Sequence, residues 1–418
     1  MSSICGIDFG TSNSTVGIAK QGKPLLVPLE AGQAALPSAL FFNFDDSSVS
    51  YGRAAVSDYI DGEFGRLMRA LKSILGTSLM NQGTHIRQRR VHYSEIIGEY
   101  IAELKQRAES HAQQPLSQLV AGRPVHFVDN DPNADKLAQD ALAEIYQRAG
   151  FKDIEFQFEP IAAALDYEQQ LKKEELALIV DIGGGTADFT IIRLAPCNQH
   201  KSERYDDILA TSGVHIGGND FDQRFNLAKA MPALGLHSYM KGSSRLQLPS
   251  APYFDLATWH LIHNQYERQN IHRIETLKLQ AEQPKLIDRL LTLLKQQDGH
   301  RLIAQVEACK IALSSQQHAE LELGFIENQL RLPCHREEFE AATKQQLEGI
   351  RHAIQQTLLS AQISAKQISS VFLTGGTTGL PALRHAVATL FPDSECVEGD
   401  RFGSVGTGLT LDALRRFA

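Results

Sequence analysis

The sequence predicts an α/β protein built as two related lobes around one shared cleft, and three observations carry that expectation. The stretch Leu176 to Arg193 spells an apolar strand, then Asp181, three consecutive glycines (Gly183, Gly184, Gly185), Thr186 and Asp188, then a second apolar strand through Ile192. The stretch Ile4 to Ile18 repeats the plan, with Asp8, Gly10, Thr11 and Ser12 between two apolar runs. One supersecondary unit repeated in distant parts of a chain implies two related lobes. The third observation is length: 418 residues exceed what one hydrophobic core organises.

Each hairpin carries more than a turn requires. Glycines bring bare N–H groups close to a ligand, and a run of such groups makes a concavity suited to phosphate. An aspartate at a strand end adds a carboxylate that can hold magnesium through water. A polyphosphate between the lobes would carry its metal between Asp8 and Asp181.

Composition narrows the classes. A net charge of −8 argues against a nucleic-acid or anionic-membrane surface, and the basic run Arg87 to Arg90 reads as solvated. Five scattered cysteines without a C-x-x-C pair fit a reducing compartment, with neither a disulfide framework nor a zinc site. No stretch approaches the ~20 apolar residues of a membrane span, so the expected location is cytoplasmic.

In chain order, Pro24, Pro28 and Pro37 punctuate a turn-rich region with a short strand at Leu40 to Phe44, and a helix is expected from Ser94 to Glu109. Pro124 to Val128 reads as a strand. A helix opened by Asp131 or Asn133 follows and stops at Gly150. Ile154 to Phe158 is the next strand, and Glu159-Pro160 opens another helix. Glu159 stands where a carboxylate can face a cleft and orient a water, or merely cap the helix. Ala210 to Arg224 reads as a strand, a Gly217-Gly218 turn and a helix capped by Asn219 or Asp220, either a phosphate contact or a plain helix entry.

Residues 231 to 300 form a loop-rich insertion in which Trp259 introduces helical segments. His260, His263 and His272 lack the i, i+4 spacing of a zinc site. On the helix from Leu302 to Ser315, Glu307, Lys310 and Ser314 share one face, which by itself reads as solvated. Ser370 to Leu380 gives a third strand and glycine turn, at Gly375 and Gly376, and Asp400 precedes the closing helix.

The order and spelling of these motifs resemble the nucleotide-binding domain of the seventy-kilodalton heat-shock chaperones, within the actin-like ATPase superfamily. The likeness covers nearly the whole chain outside 231 to 300. It is nearest to the YegD-type heat-shock-like proteins in the spellings Ala121-Gly122-Arg123-Pro124, Phe158-Glu159-Pro160-Ile161-Ala162-Ala163 and Cys309-Lys310-Ile311-Ala312-Leu313-Ser314-Ser315. The resemblance implies a two-lobed actin-like ATPase fold, each lobe a ribonuclease-H-like mixed sheet flanked by helices. Lobe I would take residues 1–172, with an accessory subdomain at about 25–110. Lobe II would take 173–400, with a helical insertion at about 225–315, and the helix at 401–418 would return to lobe I.

The resemblance also implies roles. Gly10, Thr11 and Ser12 form one phosphate loop, and Gly183, Gly184, Gly185 and Thr186 the other. Asp8 and Asp181 hold water-coordinated magnesium, with Asp188 nearby. Glu159 positions the attacking water, and Asp8, Asp181 and Thr186 join it in the catalytic set. Gly217 and Gly218 pass under the phosphates. Glu307, Lys310 and Ser314 meet ribose and adenine, Gly375 and Gly376 line the adenosine side, and Asp400 closes the last motif. Three departures stand out: Val56 in place of the family's catalytic lysine, Ile311 and Gly379 in place of the arginines that sandwich adenine, and an end at Ala418 without a β-sandwich peptide-binding domain.

The expected function is therefore an ATP-binding, chaperone-like protein. Weak Mg2+-dependent hydrolysis of ATP to ADP and phosphate would open and close its lobes. Its partners would be the nucleotide and a protein client or co-chaperone, with no nucleic acid and no membrane. Two other readings share the architecture: a non-hydrolysing nucleotide sensor for a protein partner, motivated by Val56, and a small-molecule kinase.

Overall fold

The computed structural model describes residues 3–87, 89–128, 131–198, 201, 203–242, 246–259, 261–397 and 403–417. His260 and Asp400, both singled out in the sequence, lie outside the described residues. Two mixed sheets with helices on their faces organise the chain, as the fold class required. In spatial order the first runs Asp153–Phe158, Gln118–Arg123, Ile4–Phe9, Asn13–Lys20, Lys23–Leu26. The second runs Glu395–Val397, Ile368–Thr374, Glu175–Ile182, Ala187–Leu194, Ile208–Val214.

The two sheets share one plan. In each, the first strand of the aspartate-bearing hairpin is central, antiparallel to its hairpin partner and parallel to the strand on its other side. A further parallel strand flanks one edge and a further antiparallel strand the other. Both hairpins are nearly continuous apolar runs because helices cover both faces of each sheet.

Between the sheets lies a core that belongs to both. Ile161, Ala164 and Leu165 of the helix Glu159–Glu168 and Leu409 and Ala413 of the helix Ser404–Phe417 pack with Ile4 and Val120 of the first sheet and Ala177, Ile179 and Phe372 of the second. The two helices cross so closely that a Cβ on Gly408 would run into the backbone of Ala162.

An accessory sheet (Val49–Tyr51, Ala39–Asn43, Gly65–Arg69) carries the helix Gly52–Ile60 and stands over the first sheet. The segment that reads as loop-rich is substantially helical, with helices at Ala251–Leu256, Arg268–Gln280 and Pro284–Lys295. Its prolines and glycines concentrate before residue 253. The leucine-rich stretch that follows buries Ile287, Leu290, Leu291, Leu293 and Leu294 on one helix.

Two local expectations are corrected. The strand expected at Pro124 to Val128 lies earlier, at Gln118–Arg123, with parallel partners on both sides. Proline has no N–H for such a central ladder, so Pro124 ends the strand instead of opening it. The helix Gly218–Ala233 is capped by neither Asn219 nor Asp220: Gly217 is the cap residue, and its N–H donates to the Asp220 carboxylate at 2.8 Å. Asp131, by contrast, caps the helix Pro132–Arg148, accepting from the backbone N–H groups of Asn133 and Ala134. Among the described residues no helix is long and apolar enough to cross a membrane.

Candidate functional site

The loops of the two aspartate hairpins meet. Ser12 Oγ, from the first, accepts the backbone N–H of Gly184, from the second, at 3.1 Å. The second loop is closed by the Gly183 N–H donating to the Thr186 carbonyl at 3.0 Å. Beneath it comes the start of the helix Gly218–Ala233: the N–H groups of Gly218 and Asn219 donate to the carbonyls of Gly183 and Gly184 at 3.0 and 2.8 Å. A Cβ on Gly217 would collide with the backbone of Gly184 and Gly185, so only glycine admits this approach. The third glycine turn joins from the other side, where Thr377 Oγ1 donates to the Gly183 carbonyl at 2.9 Å. Gly375 and Gly376 therefore border the same floor.

Behind the loops sits a cluster of acids around one buried lysine. Asp8 and Asp181 end their strands, and Asp188 stands directly across the hairpin from Asp181. Burial pushes the Asp8 carboxyl up to about 8, with Glu159 and Asp181 adding to the rise and Lys72 opposing it. Burial and Glu159 raise Asp181 to about 6, against the neighbouring Thr374 hydroxyl and the charge of Lys72. Burial and Asp181 raise Asp188 to about 7, while Thr186, whose hydroxyl donates to it at 3.3 Å, pulls the other way. The site holds more negative charge than Lys72 neutralises.

Lys72 was missed in the sequence. Its Nζ lies 2.5 Å from Glu159 Oε1, both side chains being largely buried. Burial alone would depress the ammonium, but Glu159 and Asp8 outweigh it and the net shift is upward. The resemblance puts the family's lysine at position 56. Val56 instead packs beside Ala39, Phe41 and Ala55 under the accessory sheet, and the cation next to Glu159 comes from a later turn. A signal existed: Lys72 is the lone charge in Leu71-Lys72-Ser73-Ile74-Leu75.

On the remaining wall, the helix Gly299–Ser315 presents Glu307, Lys310 and Ser314. Lys310 is buried and its Nζ donates to Asp222 at 2.7 Å, close to Gly218 at the edge of the floor. Burial raises Asp222 to about 6 despite that pairing. Ser314 Oγ donates to the Lys310 carbonyl at 3.1 Å, Glu307 is exposed, and Ile311 is an exposed aliphatic side chain on the same helix.

The residues present fit a magnesium ion. Asp8, Asp181 and Asp188 are hard oxygen donors whose ionised forms disfavour one another, so a cation between them would favour their ionisation. Among the described residues no three such side chains converge tightly enough to ligate one ion directly.

The chain is similar in sequence to known proteins over most of its length. Residues 4–228 and 281–412 match the family described as Hsp70 protein, and the unmatched interval falls within the insertion. The chain is 24% identical to the chaperone protein dnaK of Cyanidioschyzon merolae, over 99% of this chain and 62% of that protein. It is 25% identical to chaperone protein dnaK1 of Synechocystis, over 94% and 51%, and 24% identical to the chaperone protein dnaK of Cyanophora paradoxa, over 99% and 61%. The chain thus spans between half and about three-fifths of the length of these curated relatives.

Proposed function

The chain belongs to the Hsp70 family, and from that premise we propose that it binds Mg2+-ATP between its two lobes, hydrolyses it slowly, and uses the nucleotide state to set the lobe angle in a chaperone-like role. One observation carries the reading: the two hairpin loops, one from each sheet, are joined at Ser12 and Gly184 over a cluster of Asp8, Asp181, Asp188, Glu159 and Lys72. A triphosphate fits the N–H groups of Gly10 to Ser12 and Gly183 to Gly185, where backbone dipoles complement its charge.

When bound, magnesium held through water by Asp8, Asp181 and Asp188 would supply charge neutralisation at the phosphates. Glu159 orients the attacking water, and Lys72, which fixes Glu159, adds a cation where charge develops on the phosphoryl group. Thr186 holds Asp188 in place, Gly217 and Gly218 support the loop from below, and Glu307, Lys310, Ser314, Gly375 and Gly376 line the adenosine side. The lobe division at 172/173, the YegD-type branch suggested by the motif spellings, and a protein client or co-chaperone belong to the same proposal.

Calorimetry with ATP and magnesium tests binding: a measurable heat that vanishes with chelator is expected, and none at millimolar nucleotide rejects the site. Single-turnover phosphate release tests chemistry. It should fall in Glu159→Gln and Asp181→Asn, and equal release in wild type and both variants rejects the assigned roles.

A further inference from the structure

A second set of contacts closes the molecule above the loops, between the accessory sheet and the insertion. Tyr59, from the helix Gly52–Ile60, meets His300, at the start of the helix Gly299–Ser315, 241 residues away: Tyr59 Oη lies 3.1 Å from His300 Nε2, and the ring centroids are 4.4 Å apart. Trp259 completes the box, 4.7 Å from the His300 ring and 6.2 Å from Tyr59. The Arg69 guanidinium, at the end of the strand Gly65–Arg69, lies 4.6 Å over the Trp259 ring. His300 is 5% exposed. We propose that this box is a latch over the cleft, and that protonation of His300 releases it and opens the roof for nucleotide exchange. The nucleotide part rests on the function proposed above.

The chemistry runs through one imidazole. The Trp259 carbonyl can only accept, so the Nε2 proton of neutral His300 is directed at it, at 3.2 Å. A second proton must then go onto Nδ1, adding a full charge to a buried aromatic box that already holds the Arg69 cation. Burial and the neighbouring cations work against that charge, and the Trp259 carbonyl only partly offsets them. Arg69 and the nearby His263 lower its affinity for a proton, Tyr59 and Trp259 offer ring edges and faces without a carboxylate, and Tyr266 is engaged by the Gly299 N–H. Asp298, at the helix start, is paired with Arg301. Burial is the largest cause, and it brings His300 from 6.5 down to about 4 while the latch is shut.

The sign follows from linkage. The open form takes up the proton first, so the closed form is fully favoured above the open value and loses ground as pH falls from 6.5 toward about 4. With those limits, opening is favoured about tenfold more at about pH 5.5 than at neutral pH. The same helix bears Glu307, Lys310 and Ser314, so release at its first turn frees the adenosine wall.

Trp259 is the only tryptophan in the chain, so its emission reports the latch directly. In the full chain without nucleotide, emission should titrate with a midpoint between about 4 and 6.5. His300→Gln should abolish that titration, and Tyr59→Phe should keep it with a higher midpoint. In parallel, the ratio of dissociation rates of a fluorescent ADP analogue at about pH 5.5 and at neutral pH should be about tenfold larger in wild type than in His300→Gln, which retains only the pH response of the phosphate-site carboxylates. Flat emission across that window, or an unchanged titration in His300→Gln, overturns the latch. Failure of the analogue to bind at any pH would instead count against the nucleotide site, with the emission titration still deciding the latch.

Discussion

Lys72 is one residue whose role depends entirely on where the chain delivers it. Removing its ammonium leaves Glu159 facing Asp8 without a nearby cation and frees the carboxylate that aims the water. Lys72→Ala should therefore keep ATP binding in calorimetry while single-turnover phosphate release drops about 10²–10³-fold, the range for losing one preorganised charge-stabilising group. Val56→Lys should not raise release, because position 56 packs against Ala39, Phe41 and Ala55; a clear gain would return the missing cation to that position. Asp8 argues in the opposite direction, for stability against function. The folded form holds its proton up to about 8, against an ordinary 3.8, so stability from this site falls as pH rises across that window. In thermal melts without ligand, Asp8→Asn should melt higher than wild type above pH 8, with the difference shrinking toward 3.8. Its melting temperature should no longer respond to Mg2+-ATP. A lower melting temperature at every pH would mean that Asp8 is not held under electrostatic strain. Asp8 could be read from the sequence because it ends an apolar strand before a glycine loop. Lys72 offers only a weak signal, a lone charge in an apolar run, and the partner that gives it a role lies 87 residues away.

At the scale of elements, the glycine loops separate packing from ligand approach. A Cβ at Gly217 would meet the backbone of Gly184 and Gly185, whereas one at Gly185 would have no protein atom within 4 Å. Gly217→Ala should therefore lower both the melting temperature and ATP affinity, since the helix start must retreat from the loop it supports. Gly185→Ala should leave stability within about 0.5 kcal/mol, as expected where nothing is displaced, yet weaken ATP because the added methyl occupies the ligand's side of the loop. Equal stability losses in the two variants, measured by urea denaturation, would contradict this division. The same contrast explains how far elements could be read in advance. Both hairpins were legible because apolar runs and glycine loops are local signals. The strand at Gln118–Arg123 was placed too late because its polar ends, Gln118 and Arg123, mask a stretch made central by partners that sequence does not reveal. The insertion looked loop-rich because its prolines and glycines precede the leucine-rich helix Pro284–Lys295.

The whole molecule is held together at the end of the cleft opposite the latch. The helices Glu159–Glu168 and Ser404–Phe417 share one core with both sheets, so neither sheet buries its inner face without the other. An ion cluster reinforces that junction: Arg204, with 0% of its side chain exposed, donates to both oxygens of Glu168 at 2.8 and 2.9 Å and also pairs with Asp207. Glu168 ends the helix between the sheets, while Arg204 comes from the connection between two strands of the second sheet. Arg204→Met should remove the guanidinium that two buried carboxylates share, Asp207 keeping a longer contact to Lys201 at 3.8 Å, and cost about 3–5 kcal/mol, the usual result of breaking a buried pair from one side. The effect should reach both halves. Wild type should unfold in urea as one transition by every probe, because the shared core couples the sheets. In Arg204→Met the fluorescence of Trp259, in the second half, and hydrogen exchange of the strand Ile4–Phe9, in the first, should report separate midpoints. A loss below about 1 kcal/mol with coincident midpoints would make this cluster a surface-like pair in energetic terms. A rigid junction at this end and a releasable contact at the other are what lobe opening needs: the angle can change only about the end that stays joined.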